Sequence, residues 1–373
     1  MNYKNSYSKS SSFRIKLSGI LILITFLPLI TISSLVISGC LQKNNNNNND
    51  DNSDFKTEVN LKGTWKFSIG DDMKWIKPDF DDNNWENIKV PSPWENEGFN
   101  GYDGYAWYRK HFNVPLSLKG KSVYLSMGFI DDCDEVYMNG HLVGFSGSFP
   151  PKYYTAYNAM RMYPCPQEFI NFNGDNVIAV RVYDDQLEGG ITSGDIAVKT
   201  IEFLQTDLNL EGLWKFNLGD SAAYKDKDFN DANWEKLIVP AYWETQGHPD
   251  YDGFAWYRKS FTIPENLKGK DLIFMGGKID DIDQVYLNGV LIGSTGNMGK
   301  DLGNNFTTKP VFDQEWSRFR AYPIPDSLII QGKPNIIAVR VYDGYLNGGM
   351  YQGPVGIMTN DKYTKFWREH KNR

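Results

Sequence analysis

The stretch NVIAVRVYD, from Asn176 to Asp184, sets Ile178, Val180 and Val182 against Ala179, Arg181 and Tyr183. That period of two predicts a strand with one face in a core. NIIAVRVYD, ending at Asp343, repeats the pattern, and AWYRKHFNV and AWYRKSFTI alternate likewise. VYMNGHLVG places Asn139-Gly140 between two apolar runs, and VYLNGVLIG does the same with Asn288-Gly289. Asn-Gly in that setting predicts a tight hairpin, since both residues accept the positive φ of a type I′ turn. Neither half of the chain sustains a helical period. Many short strands separated by Gly, Pro, Asn and Asp predict an all-β chain built as two-sheet sandwiches of the jelly-roll kind.

The apolar pattern also repeats at long range. LKGTWKFSIGDD from Leu61 returns as LEGLWKFNLGDS from Leu210, and Trp65, Trp85, Trp94 and Trp107 pair with Trp214, Trp234, Trp243 and Trp256 (214 − 65 = 149). After Gly147/Gly296 the second copy gains ten residues (159 − 149 = 10), and Arg161/Arg320, Asp184/Asp343 and Gly190/Gly349 keep the new offset. So long a period means two whole domains rather than a solenoid. The expected boundaries are 54–204 and 205–360, followed by a basic tail over 361–373. Gln205-Thr206-Asp207 forms a connection short enough to hold the domains side by side.

The formal charge of −7 argues against nucleic-acid binding, which depends on a clustered basic surface. The chain has 11 Trp and 22 Tyr, which suits both strands and the stacking of carbohydrate rings.

Ahead of the first domain, Lys4, Lys9, Arg14 and Lys16 precede an apolar run closed by Ile37-Ser38-Gly39-Cys40. Residues 1–40 resemble a lipoprotein signal peptide, with Cys40 the lipidated residue; an uncleaved membrane anchor is the alternative. Residues 41–53, LQKNNNNNNDDNS, are too polar to bury a core and read as a disordered tether. Either anchor places both domains at the cell envelope, facing away from the cytoplasm.

Besides Cys40, only Cys133 and Cys165 occur, and their partners in the second copy are Ile282 (133 + 149) and Ile324 (165 + 159). The joint replacement fits a disulfide in an oxidising compartment or an unbonded buried pair. No metal centre of His and Cys is expected, because no histidine aligns between the copies. Asp131, Asp132 and Asp134 read either as a solvated turn or as hard oxygen ligands for a structural calcium ion; no other cofactor is expected.

GYAWYRKHFNVP, LKGKSVYLSMGFIDDCDEVYMNGHLVG and GDNVIAVRVYD together resemble the sugar-binding jelly roll of glycoside hydrolase family 2 enzymes of the β-galactosidase type. The same blocks are similar to the jelly roll found with sialate O-acetylesterases. The resemblance covers nearly all of both repeats and implies galactose-binding-domain-like sandwiches. It does not imply catalysis, which in family 2 enzymes belongs to a separate (β/α)₈ barrel of about 250 residues. The repeats, leader and tether occupy almost the whole sequence, so no enzyme activity is expected. Asn96-Glu97-Gly98 lacks the proline of the family's Asn-Glu-Pro acid, and its counterpart is Thr245-Gln246-Gly247. Gly219-Asp220-Ser221 spells the esterase nucleophile block, yet neither His248 nor His370 sits in an Asp-x-x-His motif that would serve Ser221 as base.

What the resemblance leaves is binding. Loops that border the family's sugar pocket map onto Trp94, Glu95, Tyr102, Asp103 and Asp184 in the first copy. Trp243, Glu244, Tyr251, Asp252 and Asp343 are their counterparts in the second. Arg161, Tyr163 and Arg181, with Arg320, Tyr322 and Arg340, are expected to line the same end, though Arg181 also suits an ion pair with Asp131 or Asp132. For Trp94 and Tyr102, packing and binding are both open. The expected function is a surface-anchored, non-catalytic lipoprotein that binds an oligo- or polysaccharide as an accessory to glycan degradation. A scaffold for a separate glycoside hydrolase is the alternative, and a hydrolase of O-glycosyl or acetylated sugars is the remaining reading.

Overall fold

The computed structural model describes residues 55–201, 204–298 and 314–369, and these form two sandwiches in tandem. Cys40, the leader and the tether lie outside the described residues. The first sandwich runs through β1 (Phe55–Asn60), β2 (Gly63–Ile69), β3 (Glu86–Val90), β4 (Gly104–Asn113) and β5 (Val123–Asp131). It continues through β6 (Cys133–Met138), β7 (His141–Ser146), β8 (Met160–Pro164), β9 (Asp175–Asp184) and β10 (Gly190–Ile201). A six-stranded antiparallel sheet, β3-β2-β4-β9-β6-β7, faces a four-stranded one, β1-β10-β5-β8.

The second sandwich repeats this order. Its strands are β11 (Leu208–Asn209), β12 (Gly212–Leu218), β13 (Glu235–Val239), β14 (Gly253–Phe261), β15 (Leu272–Asp280), β16 (Ile282–Leu287), β17 (Val290–Thr295), β18 (Phe319–Ile324), β19 (Asn335–Asp343) and β20 (Gly349–Thr359). They pair as β13-β12-β14-β19-β16-β17 and β11-β20-β15-β18.

The period-two pattern decides which face goes inward. Ile178, Val180 and Val182 of β9 enter the first core with Trp65, Phe67, Tyr108, Leu125 and Val198. The opposite face of that sheet buries Trp107, Tyr137 and Ala179 beneath Trp75 and Trp85. Both Asn-Gly turns form as expected, with φ of 50° and 84° at Asn139 and Gly140 and of 50° and 88° at Asn288 and Gly289.

Cys133 and Cys165 are both buried and both free, so the disulfide reading is corrected. The Cys165 N–H donates to Val123 O where β5 begins, whereas Cys133 follows the end of that same strand. At about 3.3 Å per residue, β5 separates the two by roughly 25 Å. Each position is buried and apolar in both copies, with Ile282 and Ile324 in the second, and the two cysteines do not touch.

The C-terminal segment differs from the expected tail. Asn360–Glu369 forms the helix α1, whose Tyr363 and Phe366 pack on Leu204, Ile273, Met275 and Met358 of the outer face of the second four-stranded sheet. At the matching positions the first sandwich carries Tyr124 (273 − 149), Ser126 (275 − 149) and Lys199 (358 − 159), a face without that apolar patch. Asp207 anchors the helix start by accepting from Thr359 N at 2.9 Å and pairing with Lys362 at 3.0 Å.

The two sandwiches meet along Lys121–Val123 and Pro164–Gln167 of the first and Asn209, Glu211, Gly212, Ile238 and Val239 of the second. Lys259 reaches Glu168 across this seam at 3.6 Å. Glu211, whose counterpart in the first copy is Lys62 (211 − 149), accepts from Val355 N at 3.2 Å and faces Ser122. Burial pushes its carboxyl up to about 7, opposed by those hydrogen bonds. A raised carboxyl binds a proton more readily folded than unfolded, so its contribution to stability falls as pH rises from about 4.5 to about 7. Urea melts at pH 5 and pH 8 should therefore differ between wild type and Glu211→Gln. The wild type should lose on the order of 1–3 kcal/mol relative to the variant on going to pH 8. Parallel pH profiles would show that the carboxyl is not held at the seam.

Candidate functional site

Three strand ends converge at one end of each sandwich. β5 stops at Asp131, Asp132 makes the crossing to β6, and β9 stops at Asp184, with Cys133 opposite Tyr183 in the β6–β9 register. One carboxylate oxygen from each of Asp131, Asp132 and Asp184 lies within 4.8 Å of the others. Asp280, Asp281 and Asp343 repeat the arrangement in the second sandwich. Asp184 and Asp343 have no exposed surface, while Asp131 and Asp280 are half-buried and open the cluster to solvent.

Asp132 is well supplied with donors: Thr155 Oγ1 at 2.5 Å, Tyr153 OH at 2.6 Å and Asp185 N at 3.0 Å. Against its burial, these donors hold its carboxyl below the usual range. Asp184 is the opposite case. Neither of its oxygens receives a hydrogen bond among the described residues. Burial, then the charges of Asp132, Asp131, Asp103 and Glu95, push it up to about 8. Burial and then Asp132 push Asp131 up to about 7. In the second sandwich burial and then Asp281 raise Asp280 to about 8, and burial, opposed by the Tyr345 N–H, raises Asp343 to about 7. Asp343 Oδ2 is likewise without a donor among the described residues. Each end is therefore a pocket of excess negative charge, the group of atoms here best suited to hold a cation or to accept from hydroxyl groups.

The neighbouring glutamates brace the loops. Glu95 Oε2 accepts from Gly189 N at 3.1 Å, and Glu244 accepts from Gly348 N at 3.0 Å. Burial raises Glu244 to about 7. Asp103 and Asp252 are exposed beside them.

Several expected ligand residues prove to be structural. Trp94 and Trp243 are fully buried, and their Nε1 donate to Tyr102 O and Tyr251 O at 3.1 and 3.2 Å. A β-carbon at Gly189 or Gly348 would collide with the respective indole, which is why a glycine faces each ring. No ring face is left for a sugar. Tyr102 and Tyr251 pack edge-on against these indoles and donate to Tyr105 O and Phe254 O.

Arg161 and Arg320 are buried as well. Arg161 Nε donates to Asp134 at 2.7 Å and Arg320 Nε to Asp283 at 2.7 Å, with Tyr163 and Tyr322 each donating to the same carboxylate at 2.8 Å. Asp134 is thereby consumed by an arginine, and Asp184 takes the place beside Asp131 and Asp132 that the sequence spacing had assigned to it. Arg181 and Arg340 lie on the outer face of the six-stranded sheets and are spent on ion pairs there. Arg181 pairs with Asp71 at 2.5 Å and Glu135 at 3.2 Å rather than with Asp131 or Asp132, and Arg340 pairs with Asp220 at 2.5 Å. That pairing accounts for Gly219-Asp220-Ser221, since Ser221 Oγ accepts from Ala223 N and caps one turn of 3₁₀ helix.

Residues with free surface stand at the rim. Tyr157 and Trp316 occupy the same position in the repeat (157 + 159 = 316) and are 57% and 43% exposed. Leu187 and Leu346 also match (187 + 159 = 346), are 83% and 65% exposed, and have φ of 76° and 75°. A leucine held at positive φ and turned to solvent is unfavourable twice over, and residues of this kind cluster at functional loops. The repeat offset was the signal that could have found both pairs.

Fold and site together define a tandem β-sandwich protein with one acidic, apolar-rimmed loop end per sandwich. Residues 70–188 match the model of the β-galactosidase second all-beta domain. The chain is 29% identical to a β-glucuronidase of Formosa agariphila over 124 residues, covering 30% of this chain and 13% of that protein. It is 31% identical to a β-galactosidase of Thermoanaerobacter pseudethanolicus over 133 residues, covering 33% and 16%. A crystal structure of Bacteroides uniformis β-glucuronidase aligns at 16% identity with a TM-score of 0.34, covering 75% of this chain and 28% of that one. The matched region thus resembles an accessory β-sandwich domain of family 2 glycosidases, and the chain spans less than a fifth of the length of these two curated relatives.

Proposed function

We propose that this chain is a non-catalytic carbohydrate-binding protein, held at the outer face of the cell envelope by a lipid on Cys40, with one ligand face per sandwich. The observation that carries the reading is the matched set of exposed side chains, Tyr157 with Leu187 and Trp316 with Leu346, on the loops that adjoin the acid cluster in both copies. Exposed rings supply faces for sugar C–H surfaces, and half-buried carboxylates accept from vicinal hydroxyls. The resemblance to family 2 accessory domains supports the same ligand class.

The test is calorimetry and glycan-array binding with the full chain in detergent, alongside Tyr157→Ala, Trp316→Ala and the double variant. Each single variant should weaken binding about five- to tenfold without loss of stability. The double variant should also lose the avidity of linked sites, a factor of about 10²–10⁴ on a polymer. Binding that ignores both substitutions would remove the rim from the site. Failure to bind any glycan, with capture of a purified family 2 glycosidase, would favour a scaffold. Fatty-acid labelling that persists in Cys40→Ala would remove the lipid anchor.

A further inference from the structure

We propose that each acidic end is a site for one hard divalent cation of the calcium class, held by Asp131, Asp132 and Asp184 in the first sandwich and by Asp280, Asp281 and Asp343 in the second. The carbohydrate reading uses the same carboxylates, but the ion can bind with or without a glycan.

The argument begins with the orphaned oxygens. Asp184 has no exposed surface, and among the described residues neither of its oxygens has a donor; Asp343 is equally buried, and among the described residues its Oδ2 is unpartnered. A carboxylate taken out of water without a partner is costly, so buried charges are paired or coordinate metals. The guanidiniums beside the clusters are already engaged. Arg161 and Arg320 spend their Nε on Asp134 and Asp283, and reach the clusters only at the carbonyl oxygens of Asp132 and Asp281, at 3.2 and 2.7 Å. The donors that reach Asp132 satisfy that residue and, among the described residues, leave Asp184 without one.

Geometry and chemistry then select the ion. Calcium holds its oxygens at 2.3–2.6 Å, so two ligands of one ion lie at most about 5 Å apart. Within each triad the nearest carboxylate oxygens meet that limit. The donors are all carboxylate oxygens, which suits a hard cation rather than zinc or copper. Half-buried Asp131 and Asp280 leave a route by which water completes the shell. Both copies keep the three aspartates although residues around them differ, Gln314 standing at the position of Thr155 (155 + 159 = 314). The acid triad is therefore not a by-product of one loop sequence.

The experiment is calcium titration of the metal-stripped full chain by calorimetry, with thermal melts in calcium and in EDTA. Two sites per chain are expected, with Kd of about 0.1–1 mM, the range of extracellular calcium modules. At a hundredfold excess over Kd, Tm should rise by roughly 5–10 °C. Asp184→Asn and Asp343→Asn should each leave one site and the double variant none, while Asp228→Asn, at an exposed position outside either cluster, keeps two. Should the double variant fail to fold, the wild-type titration and the EDTA melt decide. Absence of binding and of any Tm shift at 10 mM calcium would overturn the proposal, and so would two sites surviving in a folded double variant. Loss of glycan binding alone would leave it standing.

Discussion

Arg161→Ala is expected to destabilise the first sandwich by about 3–5 kcal/mol, and Arg320→Ala the second by as much. Each guanidinium is fully buried with its carboxylate partner, and removing it leaves Asp134 or Asp283 charged in the interior with only a tyrosine as donor. The loss extends beyond the ion pair. Arg161 also donates to Ala156 O and Ala159 O, and Arg320 to Glu315 O and Arg318 O, so each arginine fixes the loop that carries Tyr157 or Trp316. Urea denaturation should show the altered sandwich unfolding first. Replacing arginine and aspartate together by apolar residues should cost less than the arginine variant alone, because no buried charge remains unpaired. An arginine variant with wild-type stability would mean that the pair is solvated.

Trp94→Ala and Trp243→Ala should cost about 3–5 kcal/mol each, through the cavity they leave. Both indoles are fully buried and seated against Gly189 and Gly348. They also pack against Phe67 and Phe216 within the two cores. Glycan binding by the folded fraction should change far less than it does in Tyr157→Ala or Trp316→Ala. Melting curves and calorimetry on the same samples separate the two effects. A Trp94→Ala protein that keeps its stability but loses its ligand would return the indole to the binding face.

These expectations mark where the sequence was legible. Alternation along NVIAVRVYD showed which side chains of β9 enter the core, because a strand turns every second residue to the same face. Asn-Gly named both hairpin turns, since few other dipeptides tolerate two positive φ values in succession. The internal repeat set the number of sandwiches and their order. It also located Asp184 and Asp343 at strand ends, while the run of Asp131, Asp132 and Asp134 left open a solvated turn or a set of oxygen ligands.

The same repeat could not tell a buried tryptophan from a binding one. Trp94 and Tyr102 sit in a loop rich in Gly, Pro and Asn, a composition shared by ligand loops and by loops folded back over a core. Their burial depends on Gly189, some 95 residues further on (189 − 94 = 95). Arg181 was read correctly as facing away from Val180, but its partner Asp71 arrives from the β2 end of the sheet, 110 residues earlier. Asp134, three residues from Asp131, seemed the natural third ligand by spacing, yet one strand step turns it onto the core side and into the hands of Arg161.

The sequence by itself determined the class of fold, the duplication, the hairpins and the inward faces, all of which follow from local stereochemistry and the periodicity of burial. Only the tertiary structure decided which polar residues are spent and which are left over. Salt bridges, hydrogen bonds and cavities join residues brought together by sheet order rather than by spacing. An unpartnered Asp184 beside an exposed Leu187 can be recognised only when every neighbouring donor has been accounted for.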